Sequence, residues 1–232
     1  MCTLPPIDLG TAGPETAMAR LRALYDDLLK AAGDRLVIGL GGEHSISGAP
    51  ATAWADRLDG DVSILQFDAH ADLRDRHHGS PWNHACVMRR VLEHRASGAS
   101  ATHAADLVAV GVRGLTLEER NVIRKHGLEV VFAHEMRRPG WIERAMEALR
   151  ENVYITFDVD FFDPSLMPAT GTPEPGGGSW WDAMDLLSRV FRERNVVGAD
   201  IVELAPRRGE EASAFTAAKL AYKMIGFWSE NR

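Results

Sequence analysis

Apolar residues fall into two spacings along this chain. Between positions 14 and 32 they recur at Ala17, Leu21, Leu24 and Leu28, the interval of one helix face, with Pro14 suited to a first turn and Gly33 to a stop. Continuous runs rich in Val, Ile and Leu lie at 35–40, 62–67, 106–112, 128–132, 153–157 and 196–202, and helical patterns lie between them at 49–58, 83–96, 116–126, 141–150, 180–194 and 210–226. Strands that are apolar throughout, each followed by a helix, predict a parallel sheet covered on both faces, with right-handed crossovers. The fold class is α/β, three layers around a mostly parallel sheet. No internal repeat is present. Residues 164–178, with four Pro and four Gly, read as a loop over the carboxyl ends of the strands, where such sheets bind ligands.

Composition narrows the picture by exclusion. The 232 residues, 45% hydrophobic and 25% charged, fit a single domain over 1–232. Net charge is −7, and basic residues are scattered or sit in short pairs such as Arg89-Arg90 and Arg207-Arg208, so nucleic acid is a poor partner. Cys2 and Cys86 are the only cysteines, too few for a disulfide framework, and the reading is cytoplasmic. The start, Met1 to Pro6, lacks the pattern of a secretion signal, and no apolar run is long enough for a membrane span.

The chemistry lies at the strand ends. Asp68, His70 and Asp72 follow the run ending at Phe67 and are spaced two apart, so an extended chain would turn all three to one face. Asp158 and Asp160 follow a second run in the same way. Two like charges about 4 Å apart cost roughly 4 kcal/mol at an effective dielectric near 20, so four converging aspartates need cations or must point elsewhere. Caps of turns are the plainer reading of Asp158 and Asp160. A third strand end, Gly41-Gly42-Glu43-His44-Ser45, has glycines for a sharp turn and would bring His44 to the cluster. Two imidazoles and four carboxylates exceed one octahedral ion and suit a pair sharing bridging carboxylates. Oxygen donors without thiolate favour manganese over structural zinc, with magnesium, iron and cobalt still open.

These motifs resemble the ureohydrolases, the family of arginase and agmatinase. The resemblance rests on His44 in GGEHS, on Asp68, His70 and Asp72 in FDAHADLRD, on Asp158 and Asp160 in FDVDFFDP, and on residues 168–173, PATGTP. GGEHS, the run from Asn83 to Arg90 and residues 172–177, TPEPGG, look closer to agmatinases than to arginases. The resemblance implies an arginase-like fold and two Mn2+ per chain. One ion would be held by His44, Asp68, Asp72 and Asp158, the other by His70, Asp68, Asp158 and Asp160, with Asp68 and Asp158 bridging. It implies that Glu203 pairs with a guanidinium and that His84 shuttles protons, an imidazole being suited to titrate near working pH. Asp72 counts among the catalytic residues as well as the ligands. Read alone, Glu203 is a strand-end residue in a surface ion pair and His84 a first-turn helix residue. His77 and His78 receive no ligand role, Arg74 and Asp75 are read as local pairing or capping, and Trp180 and Trp181 as packing or a subunit contact. Cys86 and His84 do not form a nucleophile pair.

The expected activity is hydrolysis of a small guanidino substrate to an amine and urea, with agmatine to putrescine first, and guanidinobutyrate, arginine or formiminoglutamate as alternatives. A zinc deacetylase of related fold is disfavoured, since one zinc would not need His44, His70, Asp158 and Asp160 together. Intact His84 and Glu203 argue against a non-catalytic metal-binding homologue. The family resemblance also implies a homo-oligomer, a trimer or hexamer. Family members normally begin with a first strand and a Gly-Pro-rich segment ahead of the stretch matched by 7–10, so the sequence is expected to be short at its start, with one flank of the sheet exposed.

Overall fold

The computed structural model describes residues 1–97 and 106–231. Its strands are β1 (Val37–Leu40), β2 (Ser63–Phe67), β3 (Leu107–Val112), β4 (Glu129–Phe132), β5 (Asn152–Asp158) and β6 (Asn195–Val202). The helices are α1 (Pro14–Ala32), α2 (Gly48–Arg57), α3 (Val87–Ser97), α4 (Leu117–His126), α5 (Trp141–Ala148), α6 (Trp180–Glu193) and α7 (Ala212–Glu230). The strands form one sheet in the order β1-β6-β5-β2-β3-β4, and all of its strand pairs are parallel.

Alternation along each strand divides the core in two. Leu65, Phe67, Val108, Val110, Val153, Ile155 and Phe157 face α5, α6 and α7, whereas Ile64, Leu107, Ala109 and Tyr154 face α1, α2, α3 and α4. The architecture is therefore the three-layer α/β arrangement anticipated above. Among the described residues no helix is long and apolar enough to cross a membrane.

Two element boundaries differ from the sequence reading by more than two residues. The helix expected at 83–96 begins as a 3-10 turn, His84–Cys86, capped by the Asn83 side chain, and becomes α-helical only at Val87. The last helix runs on through Gly226 to Glu230, because Phe227 and Trp228 continue its apolar face against the core and outweigh the roughly 1 kcal/mol cost of an internal glycine. Residues 164–178 are irregular, as expected. Arg113 holds this loop by donating to the carbonyl oxygens of Asp160 (2.7 Å) and Glu174 (2.8 Å).

At the amino ends of the strands, Arg95 of α3 donates to Asp106 (2.6 Å) and to the carbonyls of Val62 and Gly60, and Arg150 bonds the other oxygen of Asp106. The opposite, carboxyl end of the sheet is left for the acidic cluster.

Candidate metal centre

All six residues read as ligands meet at the carboxyl ends of β2 and β5, but strand alternation does not bring them there. β2 ends at Phe67, the chain runs on beside the residues after β3 as far as a parallel bridge between His70 and Gly114, and it then turns at Asp72, which lies in the left-handed region at φ 54°. Asp160 lies in a 3-10 turn after β5. Three of the four carboxylates converge because each binds a turn amide with one oxygen. Asp68 Oδ1 accepts from His70 N (2.6 Å), Asp158 Oδ1 from Asp160 N (2.8 Å) and Asp160 Oδ1 from Ala69 N (3.0 Å). Capping and ligation are thus not alternatives, since the second oxygens remain for the cluster.

Carboxylate oxygens surround the imidazoles, Asp68 contributing both of its own. His44 Nδ1 stands 2.9 Å from Asp72 Oδ2, 3.1 Å from Asp68 Oδ2 and 3.5 Å from Asp158 Oδ2. His70 Nδ1 stands 3.1 Å from Asp160 Oδ2 and 3.5 Å from Asp68 Oδ1. Ligand atoms of His44, Asp68 and Asp158, and separately those of Asp68, His70 and Asp160, lie within 4.8 Å of one another. His44 turns in on a 3-10 turn, His44–Ser47, capped by Glu43. Gly41 serves this turn through space and not through an unusual φ, because a Cβ there would overlap the Ile46 side chain.

The electrostatics of the bare cluster show what it lacks. Burial, then the charges of Asp160 and Asp68, lift the Asp158 carboxyl well above its ordinary range, and burial with Asp68 lifts Asp72 to about 7. Burial alone would lower both imidazoles, but the surrounding carboxylates prevail, raising His70 to about 11 and His44 well above its usual value. So many carboxylates in one buried place favour positive charge among them. His44 Nδ1, fully buried and ringed by carboxylate oxygens, has no hydrogen-bond partner, which fits a nitrogen that donates its lone pair to a metal. Hard oxygens with two imidazoles suit a divalent first-row ion.

A row of polar residues beneath the cluster escaped the sequence reading. Gln66, Thr156 and Asp200 are cross-strand neighbours in β2, β5 and β6, and all are buried. Gln66 Nε2 donates to Asp68 (2.8 Å), Thr156 Oγ1 bonds His44 Nε2 (2.8 Å) and donates to Asp200 (2.7 Å), and Tyr154 donates to Asp200 (2.6 Å). The signal available was three polar side chains inside otherwise apolar strands, which burial tolerates only when they are hydrogen-bonded.

Glu203 and His84 sit at the mouth, joined by Glu43, a residue of the GGEHS motif to which the sequence reading gave no role. Ligand atoms of these three lie within 4.8 Å of one another, and His84 Nδ1 is 3.7 Å from Glu43. Glu203 is not the surface ion-pair residue of its plain reading. It follows β6 in the left-handed region at φ 64°, accepts from His44 N (2.7 Å), and is raised above the ordinary carboxyl range chiefly by burial. His77 packs its ring on His78 (4.1 Å) and lies 5.7 Å from His84, outside the acidic cluster. Arg74 bonds His77 and faces Glu119, while Asp75 pairs with Arg90. Trp180 packs on the core, with Trp181 exposed. Cys86 is buried, its thiol pushed up to about 11 by that burial.

Known proteins resemble this chain in sequence and fold. The arginase family profile matches residues 1–226. An N(1)-aminopropylagmatine ureohydrolase of Synechocystis is 40% identical over 200 residues, 85% of this chain and 62% of that protein. An agmatinase of Pyrococcus horikoshii is 38% identical over 191 residues, 82% of this chain and again 62% of the relative. The crystal structure of agmatine ureohydrolase from Thermoplasma volcanium superposes with a TM-score of 0.80 at 29% identity, covering 95% of this chain and 71% of that one. The chain thus spans somewhat under two thirds of the length of these two sequence relatives.

Proposed function

Since this chain belongs to the arginase family, we propose that it is a binuclear manganese ureohydrolase that cleaves a cationic guanidino substrate to an amine and urea. The observation that carries the reading is the pair of ligand groups sharing Asp68, one reaching His44 and one reaching His70. In this reading His44, Asp68, Asp72 and Asp158 hold one ion, and His70, Asp68, Asp158 and Asp160 the other. Bound there, two divalent ions supply Lewis acidity that brings the pKa of water toward neutrality.

The remaining steps belong to the side chains. A guanidinium is a weak electrophile because its charge is delocalised, so it must be held still. Glu203 holds it: one oxygen is tied to the His44 amide, and the other is free to pair with the guanidinium. His84, half exposed beside Glu203, carries a proton to the departing amine. Similarity to the two sequence relatives favours agmatine and adds N(1)-aminopropylagmatine, a substrate the motifs alone do not suggest. A cytoplasmic trimer or hexamer belongs to the same reading.

Product release from agmatine, N(1)-aminopropylagmatine, guanidinobutyrate, arginine and formiminoglutamate by the manganese-loaded protein tests it. One of the first two is expected to give the highest kcat/KM, and E203Q to lower kcat/KM by roughly 100-fold or more with the metal retained, as loss of a charge-paired orienting group does. A preference for arginine would overturn the substrate assignment. Metal uptake without turnover of any of the five would leave a non-catalytic homologue.

A further inference from the structure

The two histidines of the cluster are held differently on their outer sides. Each turns Nδ1 toward the carboxylates, which leaves Nε2 facing away. A ligating imidazole nearly always donates that outer N–H to a carboxylate, carbonyl or water, and so fixes both tautomer and ring orientation. His44 has such a partner in Thr156, backed by Asp200. Among the described residues, no hydrogen bond or ion pair reaches His70 Nε2.

The neighbour on that side is Gly114, whose backbone runs beside His70 as an isolated parallel bridge, with Gly114 N donating to Ala69 O (2.9 Å). A Cβ at Gly114 would lie 3.4 Å from His70 Nε2 and 3.5 Å from Glu174 Oε1. The missing side chain therefore leaves one gap bordered by an imidazole nitrogen and a carboxylate oxygen. Gly114 takes no left-handed φ, so conformational freedom does not explain the glycine, whereas space does. The Glu174 carboxylate has no hydrogen bond or ion pair of its own among the described residues. Its backbone is clamped, since Arg113 Nε and Nη2 both donate to Glu174 O, at 3.1 and 2.8 Å. The side chain thus extends toward His70 from a fixed point.

We propose that Glu174 is the outer-shell carboxylate of His70: its unbonded side chain, turning into the gap at Gly114, accepts the Nε2–H and so positions the ring for the ion that His70 and Asp160 would hold. This rests on the binuclear reading and assigns Glu174 a positioning role, not contact with the reacting atoms. Arg113, through the Glu174 carbonyl, ties the loop to the same ligand.

Manganese binding to the full chain, measured by metal analysis and electron paramagnetic resonance across a chelator-buffered series, tests the assignment without relying on turnover. E174A is expected to weaken one of the two ions by about 10–100-fold and leave the other unchanged, the usual scale for losing an outer-shell partner. E174Q, whose amide oxygen still accepts a hydrogen bond, is expected to stay within about 3-fold of the parent. E174D, one methylene shorter, falls short of the ring and follows E174A, so the pair E174Q and E174D decides the matter should E174A not fold. Equal affinities in all three variants overturn the proposal, as does an unchanged metal profile with a raised KM for agmatine, which would move Glu174 to the substrate. A parent chain that takes up fewer than two ions overturns the binuclear reading itself.

Discussion

Asp158 and His44 make different predictions although they face each other at 3.5 Å. Under the proposed assignment Asp158 touches both ions and His44 only one. D158N is therefore expected to reduce the metal-to-protein ratio from near two toward zero, and H44A to reduce it toward one, as read by metal analysis after dialysis. Protonation makes a second prediction at this scale. His44 and His70 are raised, Asp72 is lifted to about 7 and Asp158 well above its ordinary range, so the metal-free centre holds protons through neutrality. Ligation needs bare Nδ1 atoms and bare carboxylates. Loading thus releases protons and is favoured as pH rises, by about tenfold in apparent affinity per pH unit for each proton displaced. Chelator competition between about pH 6 and 8, with proton release followed by pH-stat, checks both sign and size. That these six residues stand just beyond apolar runs was legible in the sequence, and their convergence is what the structure adds. Glu43, Thr156, Asp200 and Gln66 were not legible, because their part is defined by atoms that strand pairing and turns bring near.

The elements were legible to within one or two residues where apolar runs are long and bounded by turns, as at β5 and α6. They were not legible where a local bond competes. β2 ends at Phe67 as the sequence indicates, but 68–72 do not stay extended, because Asp68 binds the amide of His70 and Asp72 takes a left-handed φ. α3 starts late because Asn83 accepts from Ala85 N and favours a 3-10 turn. An ion pair links α3 to the start of β3: Arg95 and Asp106 are nearly fully buried, Arg95 also donates to the carbonyls of Val62 and Gly60 although its Nε has no partner among the described residues, and Asp106 also pairs with Arg150. D106A would strand the Arg95 charge in the interior and is expected to cost about 3–5 kcal/mol in urea unfolding. The pair lies at the opposite end of the sheet from the acidic cluster, so the folded fraction is expected to bind metal normally. Loss of metal at full stability would show that the two ends are coupled.

At the scale of the molecule the two edges of the sheet are unequal. The β4 edge is covered by Arg144, which donates to Val130 O (2.9 Å) and pairs with Glu129 (2.8 Å) and Glu135 (2.9 Å). β1 pairs only with β6, and Leu40 at its end is 74% exposed. An open apolar edge invites pairing with another chain, whereas a lysine on it discourages pairing. L40K is therefore expected to lower concentration-dependent association, measured by light scattering, with little change in stability.

The row formed by Gln66, Thr156 and Asp200 has a consequence in time as well as in space. Its members come from strands far apart in the sequence, and they stand side by side only in one alignment of β2, β5 and β6. A slip of one residue would turn Asp200 to the other face of the sheet and leave His44 without the backing of its outer partner. The apolar strands tolerate such a slip more readily than this row does, since either face of each offers Val, Ile or Leu for packing. Pairings between distant segments also form late, after the loops between them have closed. Under the proposed metal assignment, capture of an ion is then a late event that only correctly aligned chains complete, and it favours the native alignment over its near misses.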